Sequence, residues 1–254
     1  MSKIALITGA SAGFGTAIAR RFAKEGWTLI LTGRRQDRLD ALVEEFGGRE
    51  KAFPLCFDIR DEAATRAALE SLPPAFSTID ALINNAGLAL GTGPIQECDL
   101  DQWKTMIDTN VTGLVTITRL LIDGIIAQGG LIVNLSSIAA HWPNRGGNTY
   151  AGTKAFVRQF SLGLRSDLHG TGVRVTSIEP GLSESEFTIV RTGGSQEAYD
   201  KLYGGADALQ PEDIAETIHW VASLPAHVNI NSIEIMPVSQ SWAPYQVHRK
   251  PAAS

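Results

Sequence analysis

Short apolar runs alternate with longer amphipathic ones over most of the chain, and this alternation limits the possible folds more than any other feature. Runs at 3–7, 27–32, 51–57, 79–83, 131–136, 173–179 and 231–236 have the length and composition of buried strands. Segments 14–25, 36–46, 61–71, 99–122, 148–168 and 211–222 carry the spacing of helices. A strand that pairs with a parallel neighbour needs a crossover connection, and right-handed crossovers place helices on both faces of the sheet. The expected fold is α/β: a Rossmann-like, doubly wound parallel sheet of about seven strands. No repeat, low-complexity tract or composition shift divides it, so 1–254 is read as one domain.

Composition removes several function classes. At 254 residues, 44% hydrophobic and 19% charged, the chain has material for a sizeable core. Its 22 basic and 27 acidic residues leave a net charge of -5, so no overall field attracts nucleic acid or an anionic membrane. No apolar run approaches the ~18 residues of a membrane span. Cys56 and Cys98 have neither CxxC spacing nor a disulfide framework, and the N-terminus enters Ile4-Ala5-Leu6-Ile7 without a signal-peptide pattern. A cytoplasmic protein with neither nucleic-acid nor membrane partner is expected.

The loops after the apolar runs carry the chemistry. The first is Thr8-Gly9-Ala10-Ser11-Ala12-Gly13-Phe14-Gly15, spaced GxxxGxG between a strand and a helix. Glycines there let the backbone approach a pyrophosphate whose charge the helix N-terminus stabilises. The second run ends in Thr32-Gly33-Arg34-Arg35, where an NAD site would carry an acid for the ribose hydroxyls. Two guanidiniums offer forked donors to a 2′-phosphate instead, or else simply begin a solvated helix; at this position NADP is favoured over NAD. Asp58 and Ile59 follow the third run, where the carboxylate either accepts from an adenine amino group or caps the helix near Asp61. Asn84-Asn85-Ala86-Gly87 suits a turn that exposes backbone to a ligand, with hydrogen bonding of the sheet as the alternative. Asn110-Val111-Thr112-Gly113 interrupts a helical pattern at a cost of ~1 kcal/mol for the glycine alone, an inconsistency typical of functional sites.

Tyr150 and Lys154 are four apart, hence one turn apart on one helix face. A fixed ammonium beside a phenol favours the phenolate, so such a tyrosine can exchange protons with an alcohol or carbonyl. Taken alone, the pair is more often a half-buried ring beside a solvated amine.

In order and spacing these stations resemble the classical short-chain dehydrogenase/reductase family over nearly the whole chain. The matches are Thr8 to Gly15, Asn84 to Gly87, Asn110, Ser137, Tyr150-Ala151-Gly152-Thr153-Lys154 for YxxxK, and Pro180-Gly181. The resemblance implies that Tyr150 is the general acid in reduction and the base in oxidation. It implies that Lys154 lowers the tyrosine pKa and holds the nicotinamide ribose, that Ser137 bonds the substrate oxygen, and that Asn110 holds a water for proton relay. The cofactor set would be Gly9, Ser11, Gly13, Phe14, Gly15, Arg34, Arg35, Asp58, Ile59, Asn85, Ala86, Gly87, Tyr150, Lys154, Pro180, Gly181 and Ser185, binding NADP(H) with no metal. Ser185 stands where the family often has Thr in PGxxxT.

The Trp142-Pro143 loop, the 155–161 helix segment and 224–231 look like bacterial NADP-dependent 3-hydroxy acid dehydrogenases and the related sulfoacetaldehyde reductases. The substrate implied is a short anionic aldehyde or its alcohol. Arg145 precedes Tyr150 in a Gly-rich loop, where it would pair with a carboxylate or sulfonate or remain a solvated loop arginine; Asn144 and Asn148 would add neutral donors. The segment 186–205, with Gly193-Gly194 and Gly204-Gly205, is read as a mobile lid or an ordered surface loop. The tail 239–254 carries Trp242, Tyr245, His248 and Arg249; the family's habit of forming tetramers suggests that it reaches a neighbouring subunit. A reductase of neutral ketones and a non-catalytic NADP-binding sensor are the competing classes, and the presence of all four proposed catalytic groups argues against the sensor.

Overall fold

Residues 2–143, 146–242 and Val247 are described by the structure, a computed structural model. Seven strands form one parallel sheet in the order β3-β2-β1-β4-β5-β6-β7. They are β1 (Ile4–Ile7), β2 (Thr28–Gly33), β3 (Ala52–Cys56), β4 (Ala81–Asn84), β5 (Leu131–Leu135), β6 (Arg174–Pro180) and β7 (Ser232–Ile235). Each lies within about two residues of the run expected for it. The helices are α1 (Gly13–Lys24), α2 (Gln36–Glu45), α3 (Glu62–Glu70), α4 (Leu100–Ile107), α5 (Leu114–Gln128), α6 (Asn148–Asp167), α7 (Phe187–Arg191), α8 (Gln196–Tyr203) and α9 (Pro211–Ser223).

The pleat sorts the core into two layers, because successive side chains of a strand point to opposite faces. Ala5 and Ile7 of β1 join Leu29, Ile83 and Val133 under α1, α2 and α9. Ile4 and Leu6 join Ile30, Leu82 and Ile132 under α3, α5 and α6. Both faces being covered, the central strands are apolar throughout, which is why they read as runs and not as alternations.

Two segments differ from expectation, and one of two open readings of Asp58 is removed. The helix expected at 99–122 is α4, a π-helical turn over Asp108–Gly113, and α5. It continues to Gln128, because the lone Gly124 does not end a helix, and stops at Gly129 in the left-handed conformation with φ 57°. This composite, 100–128, has the length and composition of a membrane span although no uninterrupted apolar run suggested one; Ile117 and Ile125 are fully buried against the sheet, as in a core helix. The segment 186–205 holds α7 and α8, whose Thr188 Oγ1 and Tyr203 hydroxyl are 2.8 Å apart in the interior. Asp58 does not cap α3: Asp61 does, its carboxylate accepting from Ala64 N at 2.9 Å.

Candidate active site

The carboxyl ends of the strands open on a cleft of about 380 Å³ on either side of the point where strand order reverses between β1 and β4. At one end, around the glycine turn, lie Gly9, Ser11, Gly13, Phe14, Arg34, Arg35, Asp58 and Ile59. Asn85, Ala86 and Gly87 line its middle, and Ser137, Tyr150, Lys154, Pro180, Gly181 and Ser185 the far end. Gly15 is not in the wall. A Cβ on it would come within 2.2 Å of the Gly9 carbonyl oxygen, so its role is to let α1 start against the turn.

α1 begins at Ala12 with no capping side chain and no acid in its first turn, leaving its first N–H groups available to an anion. Arg35 donates to the Ser11 carbonyl at 2.9 Å and, with Arg38, faces the Glu186 carboxylate at 3.4 and 3.1 Å. Arg34 has no ion pair among the described residues. Asp58 is held by the Arg60 guanidinium, which lowers its pKa despite partial burial. The two asparagines divide the expected roles. Asn84 is buried and bonds Thr118 of α5 and Asn134 of the neighbouring strand β5, whereas Asn85 donates to Thr8 O at 2.8 Å and Gly9 O at 3.2 Å, tying the β4 turn to the glycine turn.

α6 presents Tyr150 and Lys154 to the far end. Lys154 is 6% exposed and donates to Leu135 O at 2.7 Å, with its Nζ 5.8 Å from the Tyr150 ring centroid. Burial lowers its ammonium pKa to about 8. Ser137 Oγ accepts from Ala139 N at 3.1 Å and donates to Pro180 O at 3.4 Å. Asn110 lies in the π-helical turn behind the cleft wall. Its Oδ1 accepts from Leu88 N at 2.9 Å, and its Nδ2 donates to Leu88 O at 2.9 Å and to Thr153 Oγ1 at 3.0 Å. Both ends of this amide brace the loop after β4 against α6. Asn148 opens α6 exposed, its Oδ1 accepting from Thr149 N, and does not line the cleft; Asn144 and Arg145 lie outside the described residues.

Several residues that the sequence reading missed gather here. Arg38 falls three residues after Arg35 at helical spacing, a signal that was legible. Phe187 packs at a tilt against Tyr150, with ring centroids 5.5 Å apart, and the Arg191 guanidinium carbon lies 5.9 Å from the same ring centroid; nothing in the sequence links α7 to α6. Beneath this end, Glu179 is 1% exposed, bonded to His141 Nε2 at 2.5 Å and Ser177 Oγ at 2.9 Å, with Arg158 Nε at 3.4 Å. Parallel pairing sets Glu234 beside Glu179, so His141, Glu179 and Glu234 bring three groups of metal-ligand type together that no histidine spacing announced. Trp242 packs edge-on against Trp142 of its own chain at 5.0 Å and bonds Glu234. Of the tail 239–254, only 239–242 and Val247 are described.

The short chain dehydrogenase family model matches residues 3–193. The chain belongs to the short-chain dehydrogenase family. Serine 3-dehydrogenase of Agrobacterium fabrum is 62% identical over 98% of this chain and 100% of its own length. Sulfoacetaldehyde reductase 2 of Chromohalobacter salexigens is 52% identical over 98% of this chain and 100% of its own. Among solved structures, the closed form of serine dehydrogenase complexed with NADP+ superposes with a TM-score of 0.92 at 51% identity, covering 97% of this chain and 100% of that one. This short-chain dehydrogenase thus has relatives named for different small substrates over 98% of its length.

Proposed function

We propose that the protein is an NADP(H)-dependent oxidoreductase acting on CH–OH groups, and that it interconverts a small anionic aldehyde or ketone with its alcohol. The expected pairs are malonic semialdehyde and 3-hydroxypropionate, the oxidation of serine, or sulfoacetaldehyde and isethionate. The observation that carries this reading is the buried Lys154 ammonium one helical turn from Tyr150, at the end of a cleft whose other end is an uncapped helix start flanked by Arg34 and Arg35.

The cleft fits the cofactor. The first N–H groups of α1 suit a pyrophosphate, the guanidiniums of Arg34 and Arg35 suit a 2′-phosphate, and Asp58 and Ile59 would flank an adenine. Asn85 to Gly87, Pro180, Gly181 and Ser185 would hold the nicotinamide half. NADPH held there would supply the hydride for the carbonyl carbon, and NADP+ would take it up in the reverse direction. As the carbonyl oxygen gains charge, Tyr150 gives it the hydroxyl proton, and the Lys154 ammonium stabilises the phenolate left behind. Ser137 would orient that oxygen by turning its hydroxyl from the long contact with Pro180 O to donate a second hydrogen bond, and Phe187 lies against the tyrosine ring.

The decisive measurement is kcat/KM with NADPH and with NADH across malonic semialdehyde, sulfoacetaldehyde, serine in the reverse direction and a neutral ketone. Preference for NADPH and for the anions is expected. Tyr150→Phe should lower kcat by ~10²–10⁴-fold, the usual contribution of general acid–base catalysis, with little change in NADPH Kd. NADH preference, or a Tyr150→Phe enzyme that keeps most of its turnover, would overturn the reading. We further propose a homotetramer, supported by the exposed Leu100, Ile107, Phe156, Trp220 and Trp242, and a cytoplasmic setting, which the two free thiols suit.

A further inference from the structure

We infer that His141 and Glu179 are positioning residues for the reaction: their hydrogen bond holds the turn that begins at Ser137, and so sets the Ser137 hydroxyl toward the oxygen that Tyr150 protonates. This rests on the role proposed above for Ser137 and not on the charge of the substrate.

Ser137 opens a single 3-10 turn, Ile138–Ala140, and His141 closes it. Inside it, Ala140 N donates to Ser137 O at 2.9 Å and His141 N to Ile138 O at 3.0 Å, so the turn moves as one piece. Both of its ends are fixed to the last residues of β6. At the start, Ser136 N donates to Ile178 O at 2.7 Å, and Ser137 Oγ reaches Pro180 O at 3.4 Å. At the far end, His141 Nε2 meets Glu179 Oε2 at 2.5 Å. A carboxylate only accepts, so the imidazole donates. The Ser137 contact lies beyond the normal range of an O–H···O bond and holds the turn weakly; the short bond at His141 is what stops it from pivoting.

The same carboxylate reaches the helix that carries the tyrosine. Tyr150, Lys154 and Arg158 follow one another at helical spacing on one face of α6, and Arg158 Nε lies 3.4 Å from Glu179 Oε1. Ser177 Oγ donates to that oxygen at 2.9 Å. Glu179, buried at 1% exposure, thus joins the Ser137 turn, the end of β6 and the Tyr150 face of α6. Glu234 stands opposite, its Oε2 3.9 Å from His141 Nε2 and its Oε1 accepting from Trp242. The cluster has metal-ligand chemistry, but three of its four carboxylate oxygens already have donors, and Arg158 supplies the positive charge that a buried carboxylate requires. A buried network satisfied in this way fixes one arrangement of its elements. A shift of ~1 Å at a reacting centre can cost ~10²-fold in rate, so what this network secures is the placing of Ser137 against Tyr150.

The test is a double-mutant cycle between His141→Leu and Ser137→Ala. Reduction of malonic semialdehyde, sulfoacetaldehyde and propanal with NADPH is measured, and the cycle is read on whichever is turned over fastest. The kcat is expressed per NADPH-binding site, so unfolded enzyme does not enter it, and the His141 side chain, 28% exposed, can be replaced without burying a new charge. His141→Leu should lower kcat by ~10-fold or more and leave the NADPH Kd within about twofold. On Ser137→Ala the same substitution should change kcat by less than about twofold, because a hydroxyl that is gone cannot be misplaced. His141→Gln, which keeps an N–H donor, should recover part of the loss. A His141→Leu enzyme with wild-type kcat, a loss that multiplies in full on Ser137→Ala, a loss matched by weaker NADPH binding, or no recovery in His141→Gln overturns the inference while the role of Ser137 stands. Should Ser137→Ala itself keep wild-type kcat, that role falls and this inference falls with it.

Discussion

Burying an ammonium opposes folding unless something compensates, and Lys154, 6% exposed with a single carbonyl partner, bears that cost to keep a cation beside Tyr150. Its pKa is lowered from 10.5 to about 8 by burial. Between these values the unfolded chain holds a proton that the folded one has released, so this group makes folding more favourable as pH rises from about 8 to about 10.5. Below pH 8 the penalty is fully present, on the order of 3 kcal/mol at ~1.4 kcal/mol per unit. Lys154→Met removes the charge at similar bulk and leaves Leu135 O without its donor, a loss of ~1 kcal/mol. Urea unfolding at pH 7 should therefore find the variant more stable by ~1–3 kcal/mol, with the advantage shrinking towards pH 10, while turnover is nearly lost. A variant less stable at pH 7 would count against this balance. At this scale the sequence is legible where partners are close along the chain. Tyr150 and Lys154 sit at helical spacing, and Arg34 with Arg35 directly follows a strand. It is silent where they meet only through the fold: Arg191 reaches Tyr150, and Glu179 reaches both His141 and Arg158, because separate elements pack together.

Among the elements, the helix from Leu100 to Gln128 carries its irregularity at the site. The π-helical turn over Asp108–Gly113 contains Asn110 and ends where Gly113 meets Ile59 of the cleft wall; a Cβ on Gly113 would lie 2.8 Å from Ile59 O. The locally unfavourable Asn and Gly were readable as a conflict with helical propensity, and close packing explains the glycine. Gly113→Ala should destabilise the fold by ~1–3 kcal/mol, as overpacking does, and raise KM for NADPH more than it lowers kcat. Thermal melts and cofactor titration check this, and a neutral substitution would mean that Ile59 yields freely. Other elements were less readable. α7 and α8 hide in a glycine-flanked stretch, since helices of five and eight residues are too short to establish a periodic pattern. The strands were plain because a sheet covered on both faces requires unbroken apolar runs.

Over the whole molecule, exposed Leu100, Ile107 and Phe156 lie on the helices of one sheet face, and Trp220 lies on α9 across it. Sedimentation equilibrium at ~10 μM should give four times the 27.2 kDa chain mass, and a monomer at that concentration would refute the tetramer. The strand order bears on how the chain is made. β1, the first strand to be synthesised, ends in the middle of the sheet with β2 on one side and β4 on the other. β4 starts only at Ala81, so at ~5–20 residues per second the ribosome leaves one edge of β1 bare for seconds after β2 and β3 have emerged. During that interval an apolar strand edge is open to pairing with any other nascent chain, and the arrival of β4 is what closes it.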